Sequence, residues 1–350
     1  MEKSLSPVAF AFAVGVALLT LLGVAVLLPH DRYYRYQGHD SGTTRKADWI
    51  YERLHFDPAP IDVALIGTSR TAGGLSALTI ERDYCRTTGR RIHVANLGVP
   101  EMGRNMHYAI AKEAGRAKAP KLFIIELNEI EARRPHDGFI LVADAADVLR
   151  APAAINANYA ADLIRLPGRQ INLFFETIAE RPRVRAQFDP AEYEGYFDRT
   201  NAIELLDGRE IDKRVEKPRA ELDDLYAQRL AAEAPISAFP TPLRPFEYRY
   251  ARKYLSAIEE VARATGAEIG YAFLPAYRSP VMPPALLEQL DIESVNIDLG
   301  GPSAGDASLW FDATHWNARG AAIASARMAA SLAKAYPYLG RRESCDGELQ

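Results

Sequence analysis

The 350-residue chain is short of several things, and each shortage removes a class of function. No Gly-Lys-Ser or Gly-Lys-Thr step follows a glycine-rich loop, so the backbone cradle that P-loop proteins offer to phosphates is missing. The seven histidines are scattered, with no pair on one helical face and no metal-ligand spacing, so neither a metal nor another cofactor is expected. The formal net charge is only -4, acids and bases are interspersed, and basic runs such as the one at 181–185 are short; nothing recommends a nucleic-acid partner. The only two cysteines, Cys85 and Cys345, fit one disulfide as well as two separate thiols, so their number fixes no compartment. There is no internal repeat and no low-complexity tract.

What is present begins with an apolar run. Residues 7–28 carry no charge and are long enough to cross a bilayer as a helix. The run ends Val26-Leu27-Leu28-Pro29-His30-Asp31, without the small-x-small site of a cleaved signal peptide, and all its faces are apolar, unlike a core helix. Residues 1–36 therefore read as one transmembrane anchor with its interface. Lys3 lies on one side and Arg32 and Arg35 on the other, so charge bias leaves the orientation open, while Tyr33, Tyr34 and Tyr36 fit an interfacial belt.

The chain is organised around residues 61–75. The β-branched run at 61–66 reads as a buried strand, Gly67 turns it, and Ser69 sits on the turn. In open α/β sheets ligands bind outside the carboxyl ends of the strands, where such turns converge. Further strands are expected at 91–98 and 121–127, with helices at 44–54, 75–88 and 106–117. This alternation predicts a doubly wound, mainly parallel α/β sheet, whose first part is 37–143. From 144 to 245 the rhythm breaks: helices at 151–164 and 220–234 are separated by Pro- and Gly-containing polar segments, which reads as an inserted cap. The second part, 246–338, resumes with a helix at 246–265 stopped by Gly266, strands at 268–275 and 295–299, and a helix at 318–335; 339–350 reads as a polar tail.

A serine hydroxyl needs an imidazole to take its proton and a carboxylate to orient that imidazole. Asp312 and His315, just before the last helix, supply both; alone, an Asp-x-x-His would be better read as a helix cap beside a surface histidine. The G-x-S-x-G elbow is not met, because position 71 is Thr. Arg70 would either assist a developing oxyanion, bind an acidic sugar or hold the turn through a salt bridge. Trp310, Phe311 and Trp316 would stack on a sugar or, more commonly for such aromatics, fill the core.

Taken together, Gly67-Thr68-Ser69, Asn96-Leu97-Gly98, Glu126-Leu127-Asn128 and Asp312-Ala313-Thr314-His315 resemble, in order and sheet position, the blocks of the SGNH (GDSL-like) hydrolase superfamily. The anchor, the Gly-Thr-Ser-Arg form of the first block and the Asp-Ala-Thr-His-Trp-Asn-Ala-Arg-Gly form of the last resemble its membrane-anchored branch, which includes alginate-type O-acetyltransferases and the D-alanyl transfer protein of teichoic acid. The resemblance spans 60–130 and 268–332 and implies a three-layer fold. It implies Ser69 as nucleophile, His315 as base and Asp312 as orienting carboxylate. The oxyanion donors would be the Ser69 N–H, a second-block glycine (Gly98 or Gly103) and the Asn128 side chain. The third block departs from Gly-x-Asn-Asp, reading Glu126-Leu127-Asn128-Glu129.

The function so implied is a serine O-acyltransferase or esterase acting on a cell-envelope or secreted polysaccharide. It would sit in the cytoplasmic membrane by a single pass, its catalytic domain on the periplasmic side, with a polytopic membrane acyltransferase as acyl donor. The altered third block motivates the alternative, a catalytically silent glycan-binding or scaffold protein.

Overall fold

The structure is a computed structural model that describes residues 6–37, 42–179, 200–204, 210–233 and 235–345. The basic run at 181–185 and the last residues of the tail lie outside the described residues. Helix α1 (Pro7–Val26) is capped by Ser6 and exposes nearly all its side chains; it is long and apolar enough to span a membrane. A short 3-10 turn, Arg32–Arg35, leads to α2 (Gly42–His55).

β1 (Val63–Ile66) follows, then α3 (Ser69–Gly74) and α4 (Ala77–Thr88), β2 (Val94–Asn96), α5 (Arg104–Ala117) and β3 (Leu122–Leu127). The expected cap holds α6 (Tyr159–Ala179), a small hairpin of Ala202–Glu204 and Glu210–Asp212, and α7 (Arg219–Ala232). α8 (Arg249–Thr265), β4 (Glu268–Phe273), β5 (Ile297–Asp298) and α9 (Ala318–Ala335) complete the α/β unit. The five strands are all parallel, in the order β2-β1-β3-β4-β5, a doubly wound arrangement whose direction of winding reverses beside β1.

Period-two alternation sorts the strands' side chains between two cores. Val63 and Leu65 of β1, with Leu122 and Ile124 of β3, face α4 and α9; Ala64, Ile66, Phe123 and Ile125 face α2, α5 and α8. A one-residue slip would exchange the faces, so burial on both sides fixes the register. Gly266 ends α8 with φ 71°, in the left-handed region that favours glycine.

Three stretches differ from the sequence expectation. The cap's first long helix starts at Tyr159 rather than 151, because Asn156 turns the chain through a bond from Asn158 N–H to its own side chain. That helix runs on through Pro167 and Gly168, where burial of Leu166, Gln170 and Leu173 outweighs weak local propensity. Secondly, the turn at Ser69 is itself the start of a short helix. Thirdly, the described part of the tail is tied down: Arg341–Arg342 pair with Arg90–Arg91, and Cys345 is disulfide-bonded to Cys85 of α4 with a Cα–Cα distance of 5.8 Å.

Candidate active site

β1 delivers its carboxyl end to the point where the sheet's winding reverses. Gly67 follows, and a Cβ there would lie 2.3 Å from Glu126 Oε2 and 2.2 Å from Thr71 Oγ1, so the position accepts only glycine. Thr68 then caps α3, its hydroxyl accepting the Arg70 N–H, and Ser69 becomes the first helical residue.

Beneath this turn lies the carboxylate of Glu126, the penultimate residue of β3 and 1% exposed. Its Oε2 accepts the Thr68 N–H (2.7 Å), the Thr71 N–H (3.1 Å) and the Thr71 hydroxyl (2.5 Å). Its Oε1 accepts the Thr68 hydroxyl (2.6 Å) and the Asn128 amide (2.8 Å). The buried carboxylate is thereby satisfied by the donors of the Ser69 turn, which it holds in place. Sequence reading treated this residue only as a departure from a family block.

His315 reaches the serine from the opposite end of the chain. The Ser69 hydroxyl donates to His315 Nε2 at 2.8 Å, and His315 Nδ1–H donates to Asp312, 2.9 Å from Oδ2 and 3.1 Å from Oδ1. With its Nδ1 proton on the carboxylate, the imidazole leaves Nε2 free to take the serine proton. Asp312 also accepts the Thr314 and His315 N–H groups, which closes the loop before α9. Burial alone would raise the Asp312 pKa, but His315 and these N–H donors outweigh it and hold the carboxyl well below its usual range. Asn317 caps α9 through the Gly320 N–H.

The residues considered for the oxyanion are placed unequally. Among the described residues the Ser69 N–H bonds no protein group. Gly98 is packed flat under α3, where a Cβ would lie 2.7 Å from Ala72 N, but its N–H donates to Asn96 Oδ1. Gly103 starts α5 and is pressed against His136 rather than the serine. Asn128 gives one amide hydrogen to Glu126, and its buried Oδ1 is unpartnered.

Of the roles weighed for Arg70, the geometry gives it the salt bridge. Its guanidinium is buried and bidentate on Glu129, at 2.7 and 2.9 Å, and also donates to the Leu274 carbonyl. Glu129 in turn takes Arg229 of α7, whose other Nη donates to Ser279 Oγ at 2.8 Å. Burial opposes the charge on Glu129, and Arg70 and Arg229 overcome it, keeping the carboxyl below its ordinary value.

No family model and no curated protein matches the chain.

The cap supplies a second contact that sequence reading missed. Lys213, 1% exposed, donates from Nζ to the Gly73 carbonyl at the end of α3 (2.5 Å), and its own carbonyl accepts the Ala318 N–H of α9. Burial pushes its amine down to about 8, with Asp312 pulling the other way. In sequence it stands in Asp212-Lys213-Arg214, indistinguishable from a solvated charge run. Trp310 and Trp316 are core, their rings 5.7 Å apart, whereas Phe311 is half-exposed with Lys217 over its ring. A cleft of about 580 Å³, lined by Glu101, Met102, Arg134, His136 and Asn158 among others, opens between the loops after β2 and β3, on the serine's edge of the sheet. Among the described residues no group of three His, Cys, Asp or Glu side chains converges as a metal site requires.

Proposed function

We propose that this chain is a membrane-anchored serine acyl-transfer enzyme, SGNH-like in its chemistry, that moves an acyl group to or from a cell-envelope or secreted polysaccharide. The observation that carries the reading is the unbroken relay Ser69–His315–Asp312, with the serine at the carboxyl edge of a parallel sheet. In the reaction Ser69 Oγ attacks the acyl carbonyl as its proton passes to His315 Nε2, and Asp312 stabilises the imidazolium. The Ser69 N–H faces the developing oxyanion. His315 then returns the proton to the leaving oxygen, which yields an acyl-serine. A sugar hydroxyl or water next surrenders its proton to His315 and attacks the acyl carbon; the acyl–Oγ bond then breaks as His315 returns that proton to Ser69 Oγ.

A sugar would approach over the loops after β2 and β3, where the cleft lies. Helix α1 anchors the catalytic domain to the cytoplasmic membrane, and the Cys85–Cys345 pair fits an oxidising compartment on its outer side. A polytopic membrane acyltransferase would supply the acyl group. A second reading, a silent glycan-binding or scaffold protein, is favoured by one observation: the Gly98 N–H and one Asn128 amide hydrogen are already engaged.

Labelling of the intact protein with a serine-directed fluorophosphonate, read by mass, separates the two. An enzyme gains one adduct that Ser69→Ala abolishes and His315→Ala slows; a folded protein that takes no adduct belongs to the scaffold reading.

A further inference from the structure

Helix α6 is apolar on two sides. Its inward face buries Leu166 and Leu173 together with Asp162 and Gln170, the last with 0% exposure, while Ile164 (81%), Ile171 (37%), Phe175 (61%) and Ile178 (58%) stand exposed. Positions 164, 171, 175 and 178 fall on one side of a helix at i, i+7, i+11 and i+14, so these side chains form a stripe rather than a scatter. Isolated exposed apolar residues need no explanation; a continuous stripe does.

The place of the stripe indicates what covers it. α6 packs against α1. Near its middle, Arg169 donates to the Leu141 and Ala143 carbonyls, next to the Asp144 that pairs with Arg35. Two turns later the Thr177 hydroxyl accepts the N–H of Asp31, a few residues beyond the end of α1. Along α6 the neighbours thus pass from Arg35 back to Asp31, and the helix descends toward the end of the apolar span. From Gln170 to Phe175 it carries no charged side chain, and Phe174 and Phe175 meet edge-on there. This stripe therefore continues the exposed apolar surface of α1.

We propose that the carboxyl half of α6 lies in the bilayer interface beside α1, with Ile171, Phe175 and Ile178 among the acyl chains. This inference rests on the reading of α1 as a membrane anchor. The catalytic domain then has two contacts with the membrane instead of one tether, which fixes the height and tilt of the Ser69 edge above the lipid.

The test uses the full chain in phospholipid vesicles with dibrominated acyl chains, carrying Leu18→Trp, Phe175→Trp or Ile178→Trp. The native Trp49, Trp310 and Trp316 are buried and set the background. Each variant is first matched to the wild type by thermal unfolding. Quenching at 175 and 178 comparable to that at 18, with blue-shifted emission and protection from aqueous acrylamide, is the expected result. Quenching at 18 with acrylamide access at 175 and 178 overturns the proposal and leaves the anchor standing. Shielding at 175 and 178 from both quenchers also overturns it, because protein then covers the stripe. Absence of lipid quenching at all three positions removes the anchor and the inference together.

Discussion

Replacing Glu126 by alanine tests whether the Ser69 turn is held from below. The carboxylate receives two backbone N–H groups, from Thr68 and Thr71, two hydroxyls and the Asn128 amide. The hydroxyls can rotate to other acceptors; the two N–H groups cannot. Leaving each of them buried and unpaired costs about 1–3 kcal/mol, so the variant should lose about 2–6 kcal/mol. At about 2 °C per kcal/mol for a chain of this size, the melting temperature should fall by about 4–12 °C. Glu126→Gln should cost less, because one acceptor remains. Its new NH2 would meet the Asn128 amide, which is relieved if Asn128 turns over and offers its unpartnered Oδ1. Thermal unfolding and the rate of fluorophosphonate labelling at Ser69 read both effects. A Glu126→Ala protein that melts within about 2 °C of wild type and labels at the wild-type rate would refute the reasoning.

Asp312→Asn should slow labelling by about 10³–10⁴, since an amide no longer fixes the productive imidazole tautomer. The Asp312 carboxyl is depressed in the folded protein, so its stabilisation is complete above the unfolded value near 3.9 and fades as pH falls below it; the melting difference between wild type and Asp312→Asn should shrink under about pH 4. Lys213 shifts in the same direction in a higher window: its amine, lowered to about 8, binds its proton less readily folded than unfolded, so stability should rise with pH from about 8 to about 10.4, and Lys213→Met should remove that slope in pH-dependent denaturant unfolding. Cys85 and Cys345 close a loop across a sequence separation of 260, so Cys85→Ser should cost about 5 kcal/mol in the chain-entropy account, seen as a melting temperature lower by about 10 °C.

Much of the scaffold could be read from local pattern. The parallel strands β1 to β4 are short apolar runs bounded by turn residues, and α4 and α8, which stop at the left-handed Gly89 and Gly266, carry their stop signals in sequence. β5 has only two residues, Ile297–Asp298, and its pairing depends on β4 rather than on its own composition. Ser69 stood out on a turn legible in sequence, whereas Asp312 and His315, whose spacing alone reads as a helix cap, stood out through the resemblance of their block to a family pattern. α3 did not, since Gly73 and Gly74 argue against a helix; it forms because Thr68 caps it and Glu126 grips its first turn across 58 residues. The burial of Arg70 and Lys213, and the pairing of the cysteines, are likewise long-range facts that adjacent residues do not encode.

The ion triad Arg70–Glu129–Arg229 bears on how this protein can be recombined. Glu129 stands between one guanidinium from the Ser69 turn and one from the cap, so the cap is not an exchangeable module. A chimera that grafts a foreign segment over 144–245 without an arginine at the register of Arg229 keeps Glu129 with half its buried countercharge. Neutralising Glu129 to suit the graft instead strips Arg70 of its bidentate partner, one residue from Ser69. Transplants should therefore succeed only when cap, Glu129 and Arg70 travel as one unit.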